Sequence, residues 1–225
     1  MALERLDEGL WVAPAPQRFL GLQLGTRMTV VRLPTGGLWL HSVVPMTAQL
    51  RTEVEALGPV HHIVLPDFYH HLHVGPWSLA FPKARVHAPP RMAQKRPDLR
   101  IDAELSEAPH PDWATELKPF YISGCGLRET VFLHPRTKTL IVADLVENFA
   151  RGSPHWFTRG YLRLAGLDGR AGFSRLFRFI YGNRPRARAS LDRVLAEDFD
   201  RVLLTHGEPI PRGGKEAIRL AYAWL

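Results

Sequence analysis

Short apolar runs, cut by Pro/Gly turns and alternating with helical spacings, organise this chain. Gly9–Ala13 and Met28–Leu33 have strand composition. Pro34-Thr35-Gly36-Gly37 predicts a hairpin turn, because Pro presets the first turn dihedral and Gly tolerates positive φ. Leu38–Val44 then reads as the returning strand. Over Met46–Leu57, Leu50, Val54 and Leu57 fall on one helical stripe, with Gly58 as the stop. His61–Leu65 is a short buried strand ending at Pro66, and His70–Leu79 reads as helical, broken or restarted at Gly75-Pro76.

Arg85–Ala88 is a further strand, followed by an irregular stretch over 89–116. Lys118–Ser123, Glu129–His134 and Thr139–Leu145 read as three consecutive strands. Beyond Asp144 the pattern turns helical, with Phe173, Leu176, Phe177 and Ile180 on one face. Ala187–Leu195 is a helix, Arg201–Leu204 a strand, and Gly214–Leu225 a closing helix. Hairpin-linked strands followed by strand–helix alternation predict a mixed-sheet α/β fold, two sheets with helices outside. There is no short internal repeat and no linker that forces a cut, so one domain over 1–225 is expected, with a helical insertion at about 151–188.

Composition narrows the classes. Apolar residues make up 45% of 225, ordinary for a globular chain, and no run approaches the ~18 apolar residues of a membrane span. Acids near the N-terminus and the lack of an apolar core there argue against a signal peptide. One cysteine, Cys125, excludes an internal disulfide and makes a cytoplasmic location the expectation. Residues 151–188 hold nine arginines and one acid, a net +8 against +7 for the whole chain. The basic character therefore belongs to that segment, where Trp156, Phe157, Tyr161, Phe173, Phe177, Phe179 and Tyr181 interleave with arginines. No phosphate-loop, dinucleotide, serine-elbow or C-x-x-C pattern occurs.

Chemistry centres on histidine. Of 11 histidines, His61, His62, His70, His71 and His73 lie close together. Imidazole offers a neutral lone pair near pH 7, and a catalytic zinc needs three protein ligands plus an open position. Three apolar strands are each followed by polar candidates: Asp67–His73, then Asp144, then His206. Ligands delivered by separate strand ends to one sheet edge would look like this.

These elements resemble the metallo-β-lactamase superfamily, and most closely an uncharacterised branch of it. The resemblance rests on Met28–Ser42, Val60–Trp77, Pro82–Pro89, Glu129–Phe149 and Val202–Glu208. It implies an αβ/βα sandwich of four layers. It also implies a first motif of H-x-H-x-D-H, a later bridging aspartate and a final histidine. Asp144 and His206 match the late positions. In the first motif the six positions read Phe68, Tyr69, His70, His71, Leu72 and His73, so two histidines remain while Phe68 and Leu72 stand where ligands would be. Gly124-Cys125 falls where a middle histidine is usual.

The resemblance implies a hydrolase of an ester, thioester, amide or phosphoester. His70, His73, Asp144 and His206 would hold one zinc or iron ion, with His71 or Cys125 in support. Asp144 and His71 are the catalytic candidates. An anionic small-molecule substrate would meet the basic segment at Arg175 and Arg178. Two rival readings stay open. One is a degenerate member without metal that binds a ligand or a protein. The other is a binder of nucleic acid or a membrane surface through 151–188.

Overall fold

The computed structural model describes residues 2–225. In chain order the first strands are β1 (Glu4–Asp7), β2 (Leu10–Ala15), the small hairpin β3 (Arg18–Phe19) and β4 (Leu22–Gln23), β5 (Thr26–Arg32) and β6 (Leu38–His41). Helix α1 (Ala48–Leu57) leads to β7 (Val60–Val64), α2 (Val74–Ala80), β8 (Arg85–Ala88), α3 (Met92–Lys95) and β9 (Ala103–Glu104). A second set follows: β10 (Lys118–Tyr121), β11 (Thr130–His134), β12 (Thr139–Ile141), β13 (Glu147–Asn148), α4 (Trp156–Ala165) and β14 (Ala171–Gly172). The chain ends with α5 (Arg184–Ala196), β15 (Arg201–Leu203) and α6 (Gly214–Ala221).

Seven strands form one mixed sheet in the order β1-β2-β5-β6-β7-β8-β9, and four form the other, β10-β11-β12-β15. Side-chain alternation stacks the layers. On β7 and just beyond it, Ile63 and Leu65 pack with Leu50 and Val54 of α1, whereas Val64 points the other way. Val64 joins Leu10, Val12, Trp39, Phe132, Ile141 and Leu203 between the two sheets. Around β12 and β15, Leu140, Val142, Val202 and Leu204 turn outward onto Leu191 and Val194 of α5 and Ile218 of α6. Period-2 strands with both faces apolar require cover on both sides, and helix–sheet–sheet–helix layering provides it. Each fully buried large apolar side chain contributes about 1.5–3 kcal/mol.

Local signals set the boundaries. Thr47 caps α1 by accepting from the Leu50 amide at 3.2 Å, and Asn183 caps α5 by accepting from Arg186 at 3.1 Å. The predicted helix over His70–Leu79 forms only from Val74. Asp67 takes the amides of Tyr69 and His70, at 2.6 and 2.9 Å, holding this stretch in a turn instead of a helix. Pro76 then sits in the first turn of α2, where its missing N–H costs nothing.

The segment after Asp144 also departs from expectation. It begins as β13, which pairs with β14, and the amphipathic stripe at 173–180 is largely a 3-10 turn over Arg175–Ile180. Phe173, Phe177 and Ile180 face a cavity, which gives the stripe an apolar side without a regular α-helix. No helix among the described residues is long and apolar enough to cross a membrane.

Candidate functional site

Three strand ends converge. The loop after β7 carries Asp67 and His70, the segment after β12 carries Asp144, and the turn after β15 carries His206. One donor atom each from His70, Asp144 and His206 lies within 4.8 Å of the others. His206 Nε2 stands 3.3 Å from Asp144 Oδ1, His70 Nδ1 stands 3.8 Å from Asp144 Oδ2, and the two rings are 5.3 Å apart between centroids.

Each group is held from behind. The Asp67 carboxylate, fully buried, accepts from His70 Nδ1 at 2.8 Å. His206 Nδ1 donates to the Gly25 carbonyl at 2.7 Å. The His206 ring is thereby fixed through Nδ1 with Nε2 toward Asp144, and His70 Nδ1, bonded to Asp67, also faces Asp144 at 3.8 Å. The Glu129 carboxyl, also fully buried, takes the amides of Ala143 and Asp144 at 2.7 and 3.1 Å and so sets the backbone of Asp144. Arg27 gives its guanidinium to the carbonyls of Leu204 and Gly207, each at 2.8 Å, tying the first sheet to the His206 turn. Gly207 has φ +90, and a Cβ there would lie 1.9 Å from the Asn148 carbonyl oxygen, so only glycine fits.

The electrostatics favour a cation. Burial works against charge on His70, but the Asp67 and Asp144 carboxylates outweigh it and raise its pKa to about 10. The same competition raises His206, with Asp144 overcoming burial. Asp144 is lowered because His70 and His206 outweigh its own burial. Burial and the neighbouring carboxylates of Asp67 and Asp144 push Glu129 well up. Burial lifts Glu147 to about 7, and its Oε2 is buried with no hydrogen-bond partner. Four acids against two imidazoles, with an orphaned carboxylate oxygen among them, suit a divalent ion held by two nitrogens and one oxygen.

The other sequence candidates lie elsewhere. His71 lines the cavity, but its Nδ1 is 2.5 Å from Arg96 Nη1. His73 occupies the cap position of α2 and is outside the triad. Cys125 is buried in the core of the second sheet, and burial pushes its thiol up to about 11, which opposes thiolate ligation. Arg175 gives its guanidinium to the Arg163 and Leu164 carbonyls at 3.1 Å, and Arg178 stacks 4.7 Å over Trp224. Neither arginine lines the cavity. Phe68 lies under the Arg128 guanidinium at 4.8 Å, and Leu72 is exposed at the cavity mouth.

Glu129 and Glu147 were missed as site residues, and the sequence marks Asp67 only as the start of the Asp67–His73 cluster, without a role of its own. A carboxylate just before or after a strand was the available signal, and it is common on any surface. His41 is fully buried with both ring nitrogens unpartnered, stacked 5.4 Å from Trp39. A second histidine group, His62, His110 and Asp112, also has close donor atoms, but Arg85 already donates to His110 at 3.1 Å.

The triad opens into a cavity of about 1060 Å³ walled by the β3–β4 hairpin, α4, the 173–180 segment and the 69–72 loop. The sequence matches the family described as Domain of unknown function (DUF4336) over residues 7–164. Comparison with curated proteins finds no match. Among solved structures, a metallo-beta-lactamase from Pontibacter korlensis superposes with TM-score 0.69 at 11% identity, covering 99% of this chain and 98% of that one. One from Erythrobacter litoralis, with beta mercaptoethanol in its active site, gives TM-score 0.70 at 13% identity, covering 99% and 96%. One from Pseudomonas aeruginosa, in a mono-zinc form, gives 0.65 at 12%, covering 99% and 95%. The fold is that of the metallo-β-lactamases.

Proposed function

The chain belongs to the DUF4336 family, and from that footing we propose that it is a metal-dependent hydrolase. His70, Asp144 and His206 would hold one divalent ion, zinc or iron. The observation that carries this reading is the convergence of those three donors at the floor of an open cavity, two of them fixed through Nδ1. The mono-zinc form of the Pseudomonas relative is a parallel for a single ion. Such an ion, when bound, supplies Lewis-acid polarisation of a carbonyl or phosphoryl oxygen.

The chain's own residues supply the rest. Glu147, in the cavity lining with a free carboxylate oxygen and a pKa near 7, is placed to accept the proton of an attacking water. Asp67 and the Gly25 carbonyl orient the two imidazoles, and Glu129 orients Asp144. Apolar walls lower the polarity around the floor and strengthen the charge interactions there. His71, also in the lining, is a substrate contact in this reading. In this reading the described residues, 2–225, form one domain.

A second reading rests on Phe68 and Leu72, which replace ligands and leave three donors. In that case the fold binds a ligand without turnover. Metal analysis of protein purified without a histidine tag separates the two. The hydrolase reading expects about one equivalent of zinc or iron, lost in Asp144→Ala and His206→Ala. A content far below one that does not rise when zinc or iron is added overturns it.

A further inference from the structure

The cavity is built for hydrocarbon. Of the 13 large apolar side chains that stand exposed among the described residues, eight line this one cavity: Phe19, Leu20, Tyr69, Leu72, Trp156, Phe157, Leu164 and Phe177. Single exposed apolar residues need no explanation, but a contiguous set at the mouth of a pocket marks a binding surface. Leu20 and Trp156, about 80% exposed each, come from two adjoining walls, one on the β3–β4 hairpin and one on α4. Those walls are tied together by the Gln23 amide donating to Thr158 Oγ1 at 2.9 Å, which joins the two elements that carry the rim.

From this geometry we infer that the ligand is a long-chain acyl ester or thioester, its hydrocarbon tail lying along the apolar lining that hairpin and helix share and its carbonyl reaching the His70, Asp144 and His206 floor. This rests on the hydrolase reading for turnover but not for binding. Three features select this class. First, the volume, about 1060 Å³, stands at the upper end of the ~300–1,000 Å³ usual for small-molecule sites. Second, apart from the His70, Asp144, His206 and Glu147 group and the scattered polar residues Gln17, His71, Arg163 and Ser174, the lining is mostly Leu, Phe, Tyr and Trp, matching a molecule with one polar junction and a long apolar arm. Third, Arg163 is the one arginine or lysine in the lining among the described residues, and its side chain is already paired with Asp168 at 3.2 Å, which leaves little to reward a highly charged substrate. In the hydrolytic step water adds across the acyl bond: a new C–O bond forms, the old C–O or C–S bond breaks, and the alcohol or thiol leaves with a proton.

Two measurements test this. The first is binding of 11-(dansylamino)undecanoic acid, read by fluorescence, to metal-loaded protein and to protein stripped by chelator. Saturable binding with a stoichiometry of one is expected in both. Trp156→Ala and Phe177→Ala, at exposed positions, should each weaken it at least tenfold, while Leu79→Ala, exposed outside the cavity, should not change it. The second is turnover of p-nitrophenyl esters from acetate to palmitate by loaded protein. Each added methylene should raise kcat/KM by about two- to fourfold until the cavity is filled. Presenting the palmitoyl ester as monomer and then in phosphatidylcholine vesicles distinguishes a free amphiphile from a bilayer source.

Binding without turnover supports the acyl assignment and removes the hydrolase reading. Turnover that is flat with chain length, or fluorescence binding unaffected by both cavity variants while circular dichroism shows them folded, overturns the acyl assignment and leaves the hydrolase reading standing. Absence of fatty-acid binding also overturns it.

Discussion

The Asp67 carboxylate and the His70 ring meet at 2.8 Å, three residues apart, and the same carboxylate binds the amides of Tyr69 and His70. One buried side chain therefore shapes the turn and aims the imidazole. Asp67→Asn keeps an acceptor but removes the charge. We expect metal affinity to fall about 10–100-fold, as for other groups that orient ligands. Asp67→Ala also strands two amides and should cost roughly 1–3 kcal/mol for each left unsatisfied. Zinc titration and denaturant unfolding of the two variants check this; unchanged zinc affinity in both would remove Asp67 from the site.

Glu147 should govern the pH profile of turnover. Its raised pKa, about 7, means that the carboxyl is protonated and unable to act as a base below that pH. The rate on an activated ester should then fall as pH drops through about 7. Glu147→Gln should lower kcat by about 10²–10⁴-fold, the usual worth of a general base, and leave the metal content intact. A profile with the same acidic limb in E147Q assigns that limb to another group.

His41 makes an acid-labile core. Burial lowers its pKa to about 3, with the His70 charge adding, against an ordinary 6.5. Above 6.5 the ring is neutral folded or unfolded and contributes no pH dependence. As pH falls from 6.5 toward 3 the unfolded chain takes up a proton that the folded chain does not. Stability therefore drops by about 1.4 kcal/mol per pH unit from this ring. His41→Phe removes two unpartnered nitrogens between Trp39 and Phe132 and should flatten that part of the curve. Thermal melts from pH 7 to 4 read it; equal slopes for the two proteins would contradict it.

Gly207→Ala should be among the most damaging small changes. The positive φ alone costs about 1–3 kcal/mol, and the added carbon would strike the Asn148 carbonyl oxygen. Because His206 precedes it, loss of stability should be accompanied by loss of bound metal. Gly169→Ala, at φ +79 with open space around it, should show the backbone cost only and keep the metal.

Much of the architecture was legible in the residue pattern. Alternation at Leu10–Ala13, Trp39–Leu40 and Leu140–Val142, and the stripe Leu50–Val54, are consequences of period 2 and period 3.6, which depend on neighbours along the chain. Asp144 and His206 could be picked out because each follows an apolar strand directly, and strand ends point to a common edge. The choice within His70-His71-Leu72-His73 could not be made that way. Spacing offers three imidazoles, and only the Asp67 contact, in a turn that forestalls a helix, decides that His70 faces Asp144. Glu147 and Glu129 were invisible for a related reason: their role comes from burial beside other acids, a property of the assembled sheets. The arginines of 151–188 could be counted in the sequence, yet their pairing with Asp168, carbonyls and Trp224 was set by packing. Local order follows from the pattern along the chain, while the direction of a side chain and the field around it depend on groups brought together by long-range contacts.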